Sequence, residues 1–550
     1  MTLFERILAA RGLATVQARQ AFLQPDYANV KHDPFLLSEM DKAVERLVLA
    51  RQNQEKIVIY GDYDIDGLSA TALLLDAFAS FGFENIDAFI PNRFVEGYGM
   101  TVGAVDKVRD MGAQLIVTVD CGSLCHQEIE YAAGLGIDTV VTDHHNIAPT
   151  RPPAVAAVNP KYPDHDYPFR DLCGAGVAFK LVQALQTRLD GLPEGYEKWL
   201  LDLVALGTVC DIVRLEDENR ANVYWGLEVL KKQQRMGLKA LMAVAGIEPD
   251  KVNARSLGFG LGPRMNAAGR LDTARHSLDM LTATDGLVAL TASEKLEEFN
   301  VRRRSIQDEI FAEACQQAEE MADNRVLVVS APGWNHGVIG IVASKLVEKY
   351  KKPVFIIGIR GETATGSARS FGDFSAADAV RAADDIILRG GGHAAAAGVT
   401  LEPGQIAAFR ARVNEFYDSL QLSEQERYLL PKADVEIDDF SEITEELVQQ
   451  IAQMEPFGNG NPEPILKIKQ ATVIGVRRMG ADGQHLKLSL RDVSGKTLQM
   501  LAFNAPEEWS RELGEVVAAW FQPMINEWQG RRTVEGRLLQ VSANVSSELI

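Results

Sequence analysis

Cysteine is scarce in this sequence, and long hydrophobic runs are missing. Five cysteines among 550 residues do not make the disulfide framework of a secreted protein, and they favour a reducing compartment such as the cytoplasm. No apolar stretch reaches the length of a membrane span, and Glu5 and Arg6 interrupt the segment that a signal peptide would need. We therefore expect a cytoplasmic protein that does not bind membranes.

Positive charge is also in deficit, with 56 lysines and arginines against 76 aspartates and glutamates and a formal net charge of −20. This balance argues against a protein that coats duplex DNA by bulk electrostatics. It leaves open a local basic groove or bound cations as the means of holding nucleic acid. The length of the chain predicts roughly three or four domains.

Three aspartates stand at alternate positions directly after a predicted buried strand. The run VIYGDYDIDG places Asp62, Asp64 and Asp66 within five residues. Carboxylates this close repel one another unless a cation offsets their charge, so the run predicts a divalent-metal site. A helix–loop–helix calcium loop is one alternative, but it needs an incoming helix and a glutamate where this chain has Leu73. A solvated acidic turn is the other.

Strand and helix patterns alternate from Lys56 to about Val213, which predicts a parallel α/β sheet. The ligand site of such a sheet lies beyond the carboxyl ends of its strands. Further acids and imidazoles follow apolar runs that we interpret as strands: Asp120, Asp143, His144, His145 and Asp211. Carboxylates and imidazole without thiolates suit Mn²⁺ or Mg²⁺ better than structural zinc. Asp120 is a candidate bridge between two ions about 3.5 to 4 Å apart, as in phosphoryl hydrolysis.

Two arginine-bearing segments follow. The glycine-punctuated stretch 257–272 contains Arg264, Asn266 and Arg270, and it fits phosphate contact and a loop whose arginines pair with local acids equally well. Residues 285–324 predict a single long helix that connects two domains. The arginines at 302–304 on this helix mark either a solvated face or a contact with a phosphate backbone.

A second α/β unit begins near residue 325. Its candidate anion-binding residues are Asn335 and His336 at a helix start, Ser367, Arg369 and Ser370 at a strand end, and Gly390 to Gly392 before His393. We expect the glycines to lead into an alanine-rich helix, whose N-terminus and backbone N–H groups would bind anions. The combination favours a phosphate or nucleic-acid docking surface.

Five short strand-like runs follow an acidic stretch at 423–446, which we expect to be loosely packed, and the glycine- and proline-rich loop EPFGNGNPEP. They predict a small β-barrel of the oligonucleotide-binding (OB) type, although an SH3-like module fits the same pattern. Basic and aromatic side chains suited to single strands are Arg477, Arg478, Lys487, Arg531, Arg532, Phe503, Trp520 and Trp528.

The motif DHH at 143–145, with GDYDIDG before it and GGGHAAAAG after it, resembles the DHH phosphoesterase family. Within that family the chain is most similar to the bacterial exonucleases that digest single-stranded DNA from the 5′ end. The resemblance implies an α/β multidomain protein. Its domains would be an N-terminal helical segment (1–50), a DHH domain (51–284), a connecting helix (285–324), a DHHA1 domain (325–425) and an OB-fold (430–550).

The resemblance also assigns roles to residues. Asp64 and Asp120 would bind one ion, and the other ion would be held by Asp66, Asp120, His144 and Asp211. The implied catalytic residues are Asp120, His144, His145 facing the scissile phosphate, and His393 stabilising charge. The implied substrate-binding residues are Arg93, Arg264, Asn266, Arg270, His336, Ser367, Arg369, Gly391 and Gly392. Asp62 is left with a marginal role, and Tyr60 stands where relatives often carry an additional imidazole.

The implied activity is two-metal hydrolysis of single-stranded DNA to mononucleotides, with Mn²⁺ or Mg²⁺, in DNA repair and recombination. The implied partners are single-stranded DNA, a single-strand-binding protein and a RecQ-type helicase, and the implied state is a monomer. A DHH hydrolase of short oligoribonucleotides or phosphoanhydrides is a rival, but such relatives lack the long connector and the barrel. A catalytically silent scaffold is another, but it would be expected to have lost metal ligands.

Overall fold

The computed structural model describes residues 1–97, 99–422, 430–528 and 530–543, and of Trp528 only the backbone. The chain starts with four helices: α1 (Leu3–Ala10), α2 (Val16–Leu23), α3 (Tyr27–Val30) and α4 (Met40–Gln52). These helices do not share one core. Leu3 and Ile7 of α1 pack in the C-terminal barrel, whereas Val44 and Leu47 of α4 pack against the first sheet.

The first sheet is parallel throughout, as the alternating pattern predicts. The sheet and the helices between its strands are β1 (Ile57–Gly61), α5 (Ile65–Ser80), β2 (Ile86–Phe89), α6 (Val102–Asp110), β3 (Leu115–Val119), α7 (His126–Gly134), β4 (Asp138–Thr142) and β5 (Ala156–Val158). The strand order is β2-β1-β3-β4-β5. Every residue of β1 and β3 is buried, because helices cover both faces of the sheet. The carboxyl ends of the central strands therefore meet at one edge.

A helical layer completes this domain: α8 (Gly174–Leu185), α9 (Leu201–Cys210), α10 (Asp217–Lys231), α11 (Met236–Val244), α12 (Gly262–Leu271) and α13 (Arg275–Leu281). The expectation that Asp211 follows a strand is wrong, because the apolar run before it forms α9. A short run that is apolar on all sides fits a buried helix as well as a buried strand. The loop alternative for 257–272 is also wrong, because a π-helical turn (Ser256–Leu261) continues directly into α12.

The predicted connecting helix is confirmed as α14 (Gly286–Glu320), 35 residues long. The side chain of Asp285 caps its start by accepting hydrogen bonds from the amides of Leu287 and Val288. At about 1.5 Å per residue the helix spans roughly 50 Å. No helix among the described residues combines the length and the apolar character that crossing a bilayer requires.

The second α/β unit comprises β6 (Leu327–Pro332), α15 (Ile339–Tyr350), β7 (Val354–Arg360), β8 (Thr363–Arg369), α16 (Ala376–Arg381), β9 (Arg389–Gly392), β10 (Ala396–Leu401) and α17 (Ile406–Ser419). The sheet order is β6-β7-β8-β10-β9, with only β6 and β7 parallel. The helix expected after the triple glycine is wrong. The glycines form the edge strand β9, and the alanines turn back into β10, which pairs with β8.

The C-terminal unit comprises β11 (Val435–Ile437), α18 (Glu445–Ala452), β12 (Leu466–Met479), β13 (His485–Arg491), β14 (Thr497–Ala502), β15 (Val516–Trp528) and β16 (Arg531–Ala543). Pairing of β12 with β15 closes the predicted five-stranded barrel. Residues 423–429 and 544–550, at the ends of two predicted domains, lie outside the described residues. The loose packing expected up to residue 446 is wrong where the chain is described, because Phe440 and Ile443 lie in the barrel core.

Candidate active site

The acidic run after β1 enters the site through a helix cap. Asp64 is the N-cap of α5, and its Oδ1 accepts hydrogen bonds from the amides of Asp66 (2.9 Å) and Gly67 (3.1 Å). Capping leaves the second oxygen of Asp64 for another partner. Asp62 and Asp66 are 2% and 1% exposed, so three carboxylates converge in a space from which water is largely excluded.

Asp120 follows β3 with a left-handed backbone, at φ 61°. Its amide donates to the carbonyl oxygen of Thr142 on β4 (3.0 Å), and this bond holds the conformation. The residue is 1% exposed. Left-handed backbone is uncommon outside glycine, and where the surroundings hold it in place it is typical of functional sites. The turn brings the Asp120 carboxylate toward the carboxylates that follow β1.

Two glycines make room for these carboxylates. A Cβ on Gly174 would lie 2.6 Å from the Cβ of Asp120, and a Cβ on Gly207 would lie 2.3 Å from Oδ1 of Asp66. At the start of α8 the amides of Gly174 and Ala175 donate to the Asp66 carboxylate at 2.5 and 2.9 Å. Sequence reasoning missed both glycines. Their only signal was a glycine inside an otherwise apolar, buried run.

The two histidines after β4 have different surroundings. The Nε2 atom of His144 lies near three carboxylates: 3.1 Å from Asp120, 3.6 Å from Asp211 and 3.8 Å from Asp66. Burial, followed by the charge of His145, lowers the pKa of His144 to about 3. Burial alone would also lower the pKa of His145, but the hydrogen bond and charge of Asp143, 2.9 Å away, raise it to about 9. His144 is therefore a neutral electron-pair donor, and His145 a cation.

Metal-type ligand atoms from four elements converge in three overlapping groups. In each group the atoms lie within 4.8 Å of one another. The groups are Asp62, Asp64 and Asp120; Asp66, His144 and Asp211; and Asp120, His144 and His145. Asp120 and His144 each belong to two groups. The geometry thus brings together all five predicted metal ligands, and it adds Asp62, to which sequence reasoning gave only a marginal role.

Burial and mutual repulsion disfavour the charged form of these carboxylates, and a bound cation would offset both effects. Burial, followed by the charge of Asp64, raises the pKa of Asp62 to about 8 and that of Asp66 to about 6. Burial and Asp66 raise the pKa of Asp211 to about 8 and push that of Asp120 well above its ordinary value. These shifts follow from gathering like charges away from water.

Unpartnered buried atoms test whether this site fits metal ions. Oδ1 of Asp62, both carboxylate oxygens of Asp120 and Nε2 of His144 are buried and make no hydrogen bond within the described chain. Buried polar atoms in folded proteins almost always have a partner. Oxygen and imidazole donors left in this way, with no thiolate among them, fit two divalent ions of the Mn²⁺ or Mg²⁺ kind.

Tyr60 contributes nothing to this donor set. Its side chain is fully buried, and its hydroxyl donates to the carbonyl oxygen of Gly99 (3.0 Å). The position where relatives often carry an additional imidazole is therefore filled here by a residue that supports the loop near Gly99.

Four arginines lie close to one another beside the carboxylates: Arg93, Arg270, Arg303 and Arg369. We call this group the cationic wall. Burial and the charges of Arg93, Arg303 and Arg369 lower the pKa of Arg270 to about 10. Arg93 stacks over the ring of Tyr63, 4.4 Å from its centroid, and its charge also acts on Asp62. In the parts of the chain that the structure describes, none of the four arginines forms a salt bridge with a carboxylate. Clustered cations of this kind indicate an anion-binding site.

Arg303 was predicted only as one of three arginines on the connector. It is the buried one, 8% exposed, and its guanidinium donates to Asn300 (2.8 Å) and Gln307 (3.0 Å) on the same helix. Its neighbours at 302 and 304 are exposed. Two of the three arginines thus lie on a solvated face, whereas Arg303 is buried and its charge acts on Arg270.

The second α/β unit contacts the first unit next to Arg270. Nη1 of Arg270 donates to the carbonyl oxygen of Gly337 (2.8 Å), which joins α12 to the segment that opens α15. Ser367 and Arg369 on β8 face Gly340 in the first turn of α15. A Cβ there would lie 3.0 Å from Ser367 Oγ and 3.2 Å from an Nη atom of Arg369. The start of α15, the hydroxyl of Ser367 and the guanidinium groups of Arg270 and Arg369 thus lie close together; we call these groups the α15 cluster.

Other predicted residues make different contacts. Arg264 is engaged elsewhere: its Nε lies 2.5 Å from Oε2 of Glu297 on α14, and its Nη1 donates to the carbonyl oxygen of Gly260. Asn266 is half buried on α12. Nε2 of His336 lies 3.2 Å from the carbonyl oxygen of Gly358. The remaining predicted residues, Gly391, Gly392 and His393, are exposed in and after the edge strand β9.

The barrel presents part of its predicted nucleic-acid surface. Phe503 is 63% exposed and Arg477 is also exposed. Trp520 is only 7% exposed, and the guanidinium of Arg478 donates to the carbonyl oxygens of Ala505 (2.8 Å) and Pro506 (2.6 Å). Trp520 and Arg478 therefore support the barrel, and Lys487 pairs with Glu535 (3.1 Å). Phe503, Arg477, Arg531 and Arg532 are exposed, the last of them paired with Glu445 (2.8 Å). The Trp528 side chain lies outside the described residues.

Known families match three parts of the chain in the order of the observed units. The N-terminal domain of the DHH family matches residues 56–208, the DHHA1 domain matches 323–419, and the RecJ OB domain matches 433–540. The last match favours the OB alternative over an SH3-like module.

Relatives match nearly the whole chain. The single-stranded-DNA-specific exonuclease RecJ of Bacillus subtilis is 36% identical over 96% of this chain, which spans 66% of that relative's length. The protein of the same name from Escherichia coli is 35% identical, and the match covers 97% of this chain and 94% of the relative. The crystal structure of Thermus thermophilus RecJ in complex with Mn²⁺ superposes with a TM-score of 0.81 at 29% identity, over 98% of this chain and 75% of that one. A second exonuclease RecJ, solved bound to manganese, gives a TM-score of 0.62 at 34% identity over 71% of this chain and 97% of that one.

Proposed function

The chain belongs to the RecJ family of single-stranded-DNA-specific exonucleases, and from this premise we propose that it hydrolyses single-stranded DNA from the 5′ end to mononucleotides. The observation that carries the proposal is the set of buried, unpartnered donor atoms on Asp120 and His144. The four-arginine wall beside them, centred on Arg270, supports a phosphodiester as the substrate.

Two Mn²⁺ or Mg²⁺ ions held by these donors would activate a water molecule as Lewis acids and offset the charge of the phosphate. The roles of the protein groups follow from their surroundings. Asp120 belongs to two of the ligand groups and would hold both ions at a fixed separation. Neutral His144 would give its Nε2 electron pair to one ion. Cationic His145, oriented by Asp143, would hold a phosphate oxygen.

The α15 cluster is the proposed site of the 5′ end. Arg369 and Ser367 face the start of α15, where backbone N–H groups favour an anion. Arg270, the member of this cluster on α12, would bind the phosphate next to the carboxylates. His336, Asn266, Gly391, Gly392 and His393 stay proposed contacts to the strand, with His393 stabilising charge. Arg264, already paired with Glu297, would act mainly by fixing α12 on the connector.

The preference for single strands is supported by the barrel. Exposed Phe503 and Arg477 would provide stacking and charge, which do not depend on base sequence. The family relationship further supports a role in DNA repair and recombination. It also supports contacts with a single-strand-binding protein and a RecQ-type helicase, a monomeric state, and the cytoplasm as the location.

The test uses a 5′-phosphorylated single strand labelled at either end, with Mn²⁺ titrated. We expect the label to leave the 5′ end first as mononucleotides. Asp120→Asn should lower the rate about 10³-fold or more, because the carboxylate shared by two ligand groups is lost. Asp110→Asn, a change of the same type on the exposed end of α6, should leave the rate unchanged. Full activity of Asp120→Asn would refute the site, and release from the 3′ end would refute the polarity.

A further inference from the structure

The loop that leads into the barrel contacts the segment that follows Asp211. Asn459 lies in this loop, within the stretch PFGNGNPEP. Its side-chain amide donates to the carbonyl oxygen of Ile212 (2.8 Å), 247 positions away in sequence. Its own carbonyl oxygen accepts a hydrogen bond from the amide of Leu215 (2.7 Å). Asn459 therefore holds both ends of the short segment from Ile212 to Leu215.

Ile212 has an unfavourable backbone conformation. Its φ is 60°, in the left-handed region that β-branched residues rarely adopt. Its side chain is 69% exposed, so packing of that side chain does not hold it in place. A residue in such a conformation persists only where the surrounding structure fixes it. Two hydrogen bonds fix Ile212: its amide donates to the carbonyl oxygen of Val209 (3.3 Å), and its own carbonyl oxygen accepts from Asn459.

Any relaxation of Ile212 would affect Asp211. Upstream, Asp211 caps the buried helix α9, and downstream, Leu215 is 2% exposed in the core. Because both sides are anchored, a change in the backbone of Ile212 is shared among the peptide units between Asp211 and Leu215, and the first of these units carries Asp211 itself. The Asp211 side chain is 23% exposed, whereas those of Asp66 and Asp120 are 1% exposed. Of the carboxylates near His144, that of Asp211 is therefore the one held least firmly by burial.

The loop that carries Asn459 is itself held rigidly. Asn461, 3% exposed, donates to the carbonyl oxygens of Met454 (2.9 Å) and Pro456 (2.8 Å). From α10 the buried guanidinium of Arg220 donates to the same two carbonyl oxygens, at 3.1 and 3.3 Å. A Cβ on Gly458 would lie 2.7 Å from Cδ1 of Leu215, so the loop lies directly against the segment that it supports.

We propose that Asn459 is a positioning residue for Asp211. By holding Ile212 in the left-handed conformation, it fixes the carboxylate that joins Asp66 and His144 in one ligand group. The inference rests on the proposed function, since it takes Asp211 as a metal ligand. It makes the loop before the barrel a part of the metal centre and so couples the nucleic-acid-binding unit to the catalytic one.

The test measures Mn²⁺ binding to the full-length, metal-free protein by isothermal titration calorimetry and by electron paramagnetic resonance of free Mn²⁺. Asn459→Ala should raise the Kd of one of the two ions about fivefold, the effect of losing one hydrogen bond, and leave the other unchanged. Asparagine tolerates left-handed backbone far better than isoleucine. Ile212→Asn should therefore restore binding in Asn459→Ala to within about twofold of the wild type. Gln449→Ala on α18 removes an exposed amide that bonds only locally to Glu445, and should change nothing.

Two results would overturn the positioning role. One is unchanged Mn²⁺ binding in Asn459→Ala while Asp211→Ala loses an ion. The other is weaker binding in Asn459→Ala that Ile212→Asn does not restore, which would indicate a general loss of structure. If Asp211→Ala binds both ions as tightly as the wild type, the ligand assignment of the proposed function fails instead.

Discussion

Alanine at position 207 places a methyl group inside the metal centre. Gly207 lies within the buried helix α9, where its added Cβ would be 2.3 Å from Oδ1 of Asp66 and 2.8 Å from the Cβ of Ala175. To reach an ordinary separation, the Asp66 carboxylate or the helix has to move by about 1 Å. Overpacking of this kind costs about 1–3 kcal/mol of stability. Alanine returns about 1 kcal/mol through helix propensity, so the net loss is about 0–2 kcal/mol.

The effect on activity should be much larger than the effect on stability. A ligand displaced by about 1 Å lowers the rate about 10²-fold, because reacting groups depend steeply on position. The assays are urea unfolding, Mn²⁺ titration and initial rates on single-stranded DNA. Gly134→Ala is the matched control, since Gly134 ends α7 in the open, with no atom within 4 Å of the added Cβ. If Gly207→Ala has a rate within about twofold of the wild type, Gly207 is not needed to make room for the Asp66 carboxylate.

Three further predictions concern charge and metal. Lys180→Met leaves the buried carboxylate of Glu218 without the ammonium 2.7 Å away, and should cost about 3–5 kcal/mol in urea unfolding; a loss under about 1 kcal/mol would contradict a buried ion pair. Arg270→Ala removes the central guanidinium of the cationic wall and should raise the KM for single-stranded DNA about tenfold, the effect of one charge-assisted hydrogen bond. An unchanged KM would place the phosphate elsewhere. Removal of Mn²⁺ with EDTA should lower the Tm by several degrees, since an ion at about 100 times its Kd adds about 2.7 kcal/mol; a constant Tm would contradict ion binding to the folded state.

Most of the first sheet could be predicted from sequence because its strands are buried on both faces. In β1, β3 and β4, apolar and mostly β-branched runs stop abruptly at a polar residue, and that residue lies at the ligand-binding edge of the sheet. Asp64, Asp120 and His144 were predicted as site residues in this way. The long helix α14 was predictable for a different reason, since glycine and proline are nearly missing from its sequence.

Local pattern failed where tertiary packing decides the conformation. The alanines after the triple glycine favour a helix by propensity, but pairing with β8 makes them a strand. The apolar run before Asp211 has no periodicity that separates a buried strand from a buried helix. Gly174 packs against Asp120, and Asn459 contacts Ile212. Both contacts bring together distant parts of the chain, and no local sequence pattern predicts them.

The metal centre is built by holding the backbone against its own preferences. Asp120 and Ile212 both have a left-handed backbone, and each makes a hydrogen bond with a residue distant in sequence: Asp120 with Thr142, and Ile212 with Asn459. Each such conformation costs about 1–3 kcal/mol. The surrounding fold therefore stabilises a geometry in which the Asp120 oxygens have no protein partner. Leaving ligand atoms unpaired lowers the stability of the fold, and only cation binding offsets this loss. The cation then binds oxygens that are already in position and need no rearrangement.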